Sequence, residues 1–175
     1  MAQVIPPIFH SFQSQEPFKR CIECERKLDD DCEYIIEKAI KVYPGFSATD
    51  VIFDYAICLN CALNIRNSFS LESRQRIDEY FQENLQRLKS TKKDFQRCLL
   101  TGLPINELSE YQIYAHCRGA FLSDQIEPYM ISAQAQEEMM KLVSSKTNEI
   151  LDGFFDKHFS PDPEIMNPRP RPIMI

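Results

Sequence analysis

The chain has 175 residues, 43% of them hydrophobic, a net charge of −6 and seven cysteines; this length suits one domain or two small ones, and this hydrophobic share supports a core. No apolar run approaches the ~18 residues of a membrane span. Four glycines are too few for a Gly-rich phosphate loop, and the overall acidity argues against bulk phosphate binding.

The opening residues, MAQVIPPIFHSF, lack a basic start, and Pro6 and Pro7 interrupt them where a signal peptide runs apolar without a break. The expected location is the cytoplasm, where thiols stay reduced and a metal site outranks a disulfide framework. Two Cys-x-x-Cys pairs follow, Cys21/Cys24 in CIEC and Cys58/Cys61 in CLNC. One pair alone also fits a redox dithiol. Two pairs supply the four thiolates of a tetrahedral zinc ion and leave no open coordination position. Such a closed site is structural rather than catalytic, and the expected content is one Zn2+ per chain.

The pairs are spaced C-x2-C-x33-C-x2-C, longer than the ~15–20 residues of short zinc modules, so the intervening chain must be structured. Cys32-EYIIEKAIKVY-Pro44 is rich in β-branched and aromatic residues and ends at the turn signal Pro44-Gly45. Asp50-VIFDYAI-Cys58 reads as a second strand, with Val51, Phe53 and Tyr55 on one face. After Cys61, Ser70 is placed to cap a helix carrying Ile77, Phe81, Leu85 and Leu88. The order Cys turn, hairpin, Cys turn, helix resembles the treble-clef and zinc-ribbon class of zinc fingers over residues 21 to about 90. The resemblance implies Cys21, Cys24, Cys58 and Cys61 as metal ligands.

The chain then repeats itself in part. Cys21-IECERKL aligns with Cys98-LLTGLPI, and Tyr55-Ala56-Ile57-Cys58 with Tyr114-Ala115-His116-Cys117. Thr101 falls opposite Cys24 and Ala120 opposite Cys61, so this copy keeps the first cysteine of each pair. Ser132 is placed to cap a following helical run with Met139, Leu142, Val143, Ile150, Phe154 and His158 near one stripe. The expectation is a degenerate, metal-free second unit in which Cys98 and Cys117 approach each other as buried thiols. The alternative is an open site made from Cys98, Cys117 and His116. His116 and Cys117 are neighbours on a strand and point to opposite faces, which argues against both reaching one ion.

The predicted class is α+β: residues 1–97 hold an N-terminal tail, the zinc-binding unit and a long helix; residues 98–159 hold the degenerate unit and its helix; residues 160–175 form a tail. Pro161, Pro163, Pro168, Pro170 and Pro172 make that tail extended and polyproline-like. It is either disordered or docked on its own domain, a second subunit or a partner. Arg66, Arg74, Arg76, Arg87, Lys89, Lys92, Lys93 and Arg97 form a local basic island, interspersed with Glu72, Asp78, Glu79 and Glu83. Mixed signs along a helix describe a solvated face. Cys32 reads as a spare thiol, and the Asp29–Asp31 run lacks the spaced ligands and glycine of a calcium loop. No catalytic constellation stands out. The expected function is therefore a small cytoplasmic zinc protein, not an enzyme, that binds another macromolecule, most simply a protein. It has no membrane association, and its oligomeric state is open. The alternatives are a zinc–thiolate redox sensor, or nucleic-acid binding through residues 66–97.

Overall fold

The β-branched run after Cys32 becomes β1 (Glu33–Val42), an interior strand of a five-stranded antiparallel sheet. The computed structural model that gives this arrangement describes residues 3–87 and 95–159. β1 pairs on one side with β2 (Thr49–Cys58), Tyr34 opposite Cys58 and Val42 opposite Thr49. Gly45, at φ +83°, takes the left-handed position in the connecting loop that other residues adopt only with strain. On its other side β1 pairs with β3 (Glu110–Arg118), from Glu33 opposite Arg118 to Lys41 opposite Glu110. The outer edge of β3 is shared by β4 (Phe121–Leu122) at its Cys117 end and β5 (Tyr129–Ser132) at its Tyr111 end. The sheet thus joins the first and second halves of the chain.

Four helices complete the described fold. α1 (Leu59–Ser68) starts directly from the last residue of β2, so Cys58 is its N-cap and Cys61 sits in its first turn. The expected helix after Ser70 is α2 (Leu71–Arg87), and the Ser70 hydroxyl accepts the Ser73 N–H at 3.1 Å. Leu88 lies outside the described residues. Ser132 caps α3 (Ala133–Met140) by accepting the Ala135 N–H. The single helical run expected there is two helices, because Ser144 sets a second cap on the Thr147 N–H and opens α4 (Ser145–His158). Leu151 and Phe154, not Ile150, carry its buried face.

One hydrophobic cluster spans the sheet and the helices, from Phe9 and Tyr34 through Tyr55 and Ile113 to Met139 and Phe154. Within it Glu37 is 2% exposed and accepts hydrogen bonds from the Tyr55 and Tyr114 hydroxyls. A buried carboxylate is tolerated only with such partners. Gly119, at φ +55°, is required where the chain passes Asp30, since a Cβ there would lie 2.8 Å from the Asp30 Cα. The C-terminal tail from Ser160, with its expected extended conformation, lies outside the described residues.

Local geometry recurs between the halves. The Cys21 N–H donates to the Arg26 carbonyl and the Glu25 N–H to the Cys21 carbonyl, both at 2.9 Å. The Cys98 N–H donates to the Leu103 carbonyl at 2.8 Å and the Gly102 N–H to the Cys98 carbonyl at 2.9 Å. Glu25 and Gly102 both have positive φ, +59° and +73°. Single bridges close the two turns in the same way, Arg20 with Lys27 and Arg97 with Pro104. Ile22 is bound to the Ala56 carbonyl as Leu99 is to that of Met130, each at 2.8 Å. At the helix starts the exchange is reciprocal: the Ser70 N–H donates to Thr147 Oγ1 at 3.1 Å, and the Ser144 N–H to Ser73 Oγ at 2.8 Å.

Candidate metal centre

Three elements bring four sulfurs together. The Cys21–Arg26 turn holds Cys21 and Cys24, the last residue of β2 is Cys58, and the first turn of α1 presents Cys61. Because the Ile22 N–H is tied to the Ala56 carbonyl, the turn is pinned against the end of β2 two residues before Cys58. The four Sγ atoms lie within 4.8 Å of one another. The Cys24 and Cys58 sulfurs are 3.8 Å apart, and a Zn–S bond of about 2.3 Å in a tetrahedron sets the sulfurs about 3.8 Å apart. The donor set and its spacing fit a four-thiolate metal ion, with zinc the typical occupant.

Electrostatics support the same conclusion. The Cys58 N–H donates to the Cys21 sulfur at 3.3 Å, the kind of bond that delocalises thiolate charge. Cys24 is the exposed member of the set. The backbone N–H of Arg26, together with hydrogen bonds from its three neighbouring thiols, brings the Cys24 thiol down to about 7. Burial pushes Cys58 and Cys61 up; at Cys61 the neighbouring cysteines add to the rise, whereas at Cys58 the hydrogen bonds from Cys61 oppose it and Cys21 adds to it. Four thiols this close hold one negative charge readily and resist a second. A divalent cation removes that resistance by neutralising the charge as it accumulates.

The remaining candidates separate. Cys32 is buried outside the cluster, and burial raises its thiol. Cys98 lies against β5, its sulfur 3.2 Å from the Ser132 nitrogen. Cys117 sits at the other end of β3, opposite Tyr34 and Leu122. Ser132 pairs with Tyr111, so four to six residues of strand, roughly 13–20 Å, separate the two thiols. The expected approach of Cys98 to Cys117 does not occur, and with it goes the open site of Cys98, Cys117 and His116. The cause is the register of β3: Cys117 lies beyond the reach of β5, whose Ser132 end receives Cys98. Burial also lifts the Cys117 thiol to about 12 and lowers His116, whose ring tilts against Tyr129. Both border a cleft of about 700 Å³ that Tyr34, Arg118, Phe121 and Asp124 also line.

In the basic island, Arg66 pairs with Asp78, Arg76 with Glu72 at 2.6 Å, and Arg97 donates to the Gly102 carbonyl. Lys89, Lys92 and Lys93 lie outside the described residues. His158, expected as a partly buried core histidine, packs on Phe154 and also meets Glu23 at 2.6 Å, beside Lys157 at 2.7 Å. Glu23 lies inside the first Cys turn, so α4 grips the metal-site turn by its carboxylate. Burial opposes the charge on Glu23, and the bonds from Lys157 and His158 outweigh it and lower its pKa. Sequence reasoning missed this tie because nothing local links residues that far apart. Among the described residues no helix is long and apolar enough to cross a membrane. No protein-family model, no curated protein and no solved structure matches the chain.

Proposed function

We propose that the chain is a small cytoplasmic zinc protein in which Cys21, Cys24, Cys58 and Cys61 hold one structural Zn2+, and that it works by binding another protein rather than by catalysis. The observation that carries the metal reading is the mutual approach of the four sulfurs within 4.8 Å. A turn, a hairpin and a helix start supply the ligands in the order of a treble-clef finger, which is the arrangement we assign to residues 21–87. The recurring bonds of the second half support reading residues 98–159 as a second, metal-free copy that shares one sheet with the first. All four ligand positions are filled by protein, so zinc here acts as a staple whose binding energy is folding energy. The binding reading draws on exposed apolar side chains, Val4 and Phe12 near the N-terminus and Phe46 at the hairpin tip, the last 75% exposed.

Elemental analysis of protein purified without chelator tests the metal: about one zinc per chain is expected from a closed four-thiolate site, and none would end this reading. For the partner, Phe46→Ser and Phe12→Ser should each weaken capture of protein from the native host without altering zinc content. A second reading, oxidation sensing, is favoured by the exposure of Cys24. It requires zinc loss at mild peroxide doses and recovery with reductant.

A further inference from the structure

We propose that Cys98, Thr101, Ser132 and Ala135 occupy the four ligand positions of a second metal site that this chain has replaced by hydrogen bonding, and that three cysteines restore it for zinc. The inference rests on the second-copy reading and assigns its residues.

Ser132, not Cys117, stands where Cys58 stands. The sulfur of Cys21 accepts the Cys58 N–H at 3.3 Å; the sulfur of Cys98 accepts the Ser132 N–H at 3.2 Å. Cys58 ends β2 and caps α1, whose third residue is Cys61. Ser132 ends β5 and caps α3, whose third residue is Ala135. Thr101 follows Cys98 at the spacing by which Cys24 follows Cys21, and its N–H points at the Cys98 sulfur, 3.4 Å away. The spacing Cys98-x2-Thr101-x30-Ser132-x2-Ala135 differs from C-x2-C-x33-C-x2-C by three residues, all of them between Tyr34 and Tyr55 in the first case and Tyr111 and Tyr129 in the second. Flanking residues agree: Glu33-Tyr34-x-Ile36 with Glu110-Tyr111-x-Ile113, Tyr55-x-Ile57 with Tyr129-x-Ile131, and Ser70-x-x-Ser73 with Ser144-x-x-Thr147. Glu37 and Tyr114, equivalent in this alignment, are also paired partners in the sheet, as a two-fold relation between the halves requires.

The present chemistry explains how the metal became dispensable. The Cys98 thiol donates to Ser132 Oγ at 3.4 Å, and that oxygen accepts the Ala135 N–H at 3.3 Å. Burial alone would raise the Cys98 thiol, and the bonds from Ser132 and Thr101 outweigh it and lower its pKa, so hydrogen bonding gives this sulfur the stabilisation a cation would otherwise give. Cys98, Ser132 and Ala135 are 1%, 0% and 0% exposed and Thr101 is half-buried, matching the first cluster, in which Cys21, Cys58 and Cys61 are buried and Cys24 is exposed.

The test is the variant Thr101→Cys/Ser132→Cys/Ala135→Cys, loaded with zinc and, separately, with cobalt(II). Its metal content should exceed that of the wild type by one ion per chain, and cobalt should give the intense visible bands of a tetrahedral thiolate complex. The readout is a difference, so failure of the first site would show in the wild type and failure of this inference in the increment. Should the larger side chain at Ala135 disturb the core, metal-dependent refolding of the triple variant counts as support. The double variant Thr101→Cys/Ser132→Cys should then bind cobalt more weakly through three thiolates. A folded triple variant with no added metal overturns the proposal, as does a triple variant that metal fails to fold. So does a gain of metal by Thr101→Cys/Ala120→Cys, the pair that would complete a site on Cys98 and Cys117.

Discussion

The turns at Cys21–Arg26 and Cys98–Leu103 share one set of backbone bonds and carry opposite chemistry. In the first, Glu23 and Cys24 face outward toward charge: Lys157 and His158 on one side, three further sulfurs on the other. In the second, Leu100 is 3% exposed and Thr101 is half-buried, so the same turn is held by apolar packing. The backbone path therefore does not depend on the metal in principle. Four clustered sulfurs mark one turn; side-chain burial and a serine cap hold the other.

The largest effect should come from removing the staple. Cys61→Ser leaves three thiolates and an open position, and zinc binding in small fingers is worth of order 10–16 kcal/mol, comparable to the whole stability of about 5–15 kcal/mol for a domain. Loss of zinc and loss of dispersed amide signals from residues 21–87 are expected by elemental analysis and NMR. Cys32→Ser should release no metal; if it did so as readily as Cys61→Ser, the pairing of ligands would be wrong.

Next comes Leu100→Ala, which removes the packing of the second turn. A buried leucine truncated to alanine costs about 2–5 kcal/mol, measurable by denaturant unfolding, with zinc content unchanged. A smaller loss would mean that the second turn is held by its hydrogen bonds alone. Cys98→Ala strips the acceptor from the buried Ser132 N–H and from the Thr101 N–H, so it should cost about 1–3 kcal/mol, the penalty of a buried donor left unpaired, and again spare the zinc.

Much of the first half was legible because its signals are local. The cysteine spacing, the β-branched runs and the cap at Ser70 each occupy a few adjacent residues, and the structure has the four sulfurs together, β1 and β2 at the runs, and Ser70 bonded to the Ser73 N–H. Tyr114-Ala115-x-Cys117 matches Tyr55-Ala56-x-Cys58 by letter, whereas the recurring backbone bond lies at Tyr129-x-Ile131-Ser132: the Ser132 N–H meets the Cys98 sulfur as the Cys58 N–H meets that of Cys21. A serine at that position carries no cysteine spacing for the sequence to show. α1 was missed because its start at Leu59 is dictated by the metal-site turn rather than by apolar periodicity. The pairing of β1 with β3 and the burial of Glu37 between two tyrosines join distant parts of the chain, and no single segment encodes them.

The reciprocal seam offers a test of that relation. Ser73→Ala strips the acceptor from the Ser144 N–H, and Thr147→Val strips it from the Ser70 N–H. These donors are half-buried, so each loss should fall at or below about 1 kcal/mol, the lower end for a donor left without a partner, and two losses of similar size are expected by thermal or chemical unfolding. The hydroxyls of Ser70 and Ser144 also meet at 2.9 Å, so the double variant should show coupling rather than simple additivity. Independent effects would mean that the two caps form separately.

The smallest effect belongs to Glu23, and it separates the two turns most finely. Its carboxylate meets Lys157 at 2.7 Å and His158 at 2.6 Å, with Glu23 28% and His158 11% exposed while Lys157 is open to solvent. Exposed ion pairs contribute about 0.2–1 kcal/mol and weaken with salt, so Glu23→Ala should lower stability by about that much, less at high ionic strength, and leave zinc in place. Glu23→Leu imports the residue that the second turn carries at the equivalent position, Leu100. There the leucine enters an apolar core; here it would meet an ammonium and an imidazole and leave both without their carboxylate. The expected result is a loss no smaller than that of Glu23→Ala. A gain in stability on unfolding would mean that the first turn already has an apolar seat like that of Leu100, and that Glu23 is retained to fix where α4 docks on the metal-site turn and not to strengthen the fold.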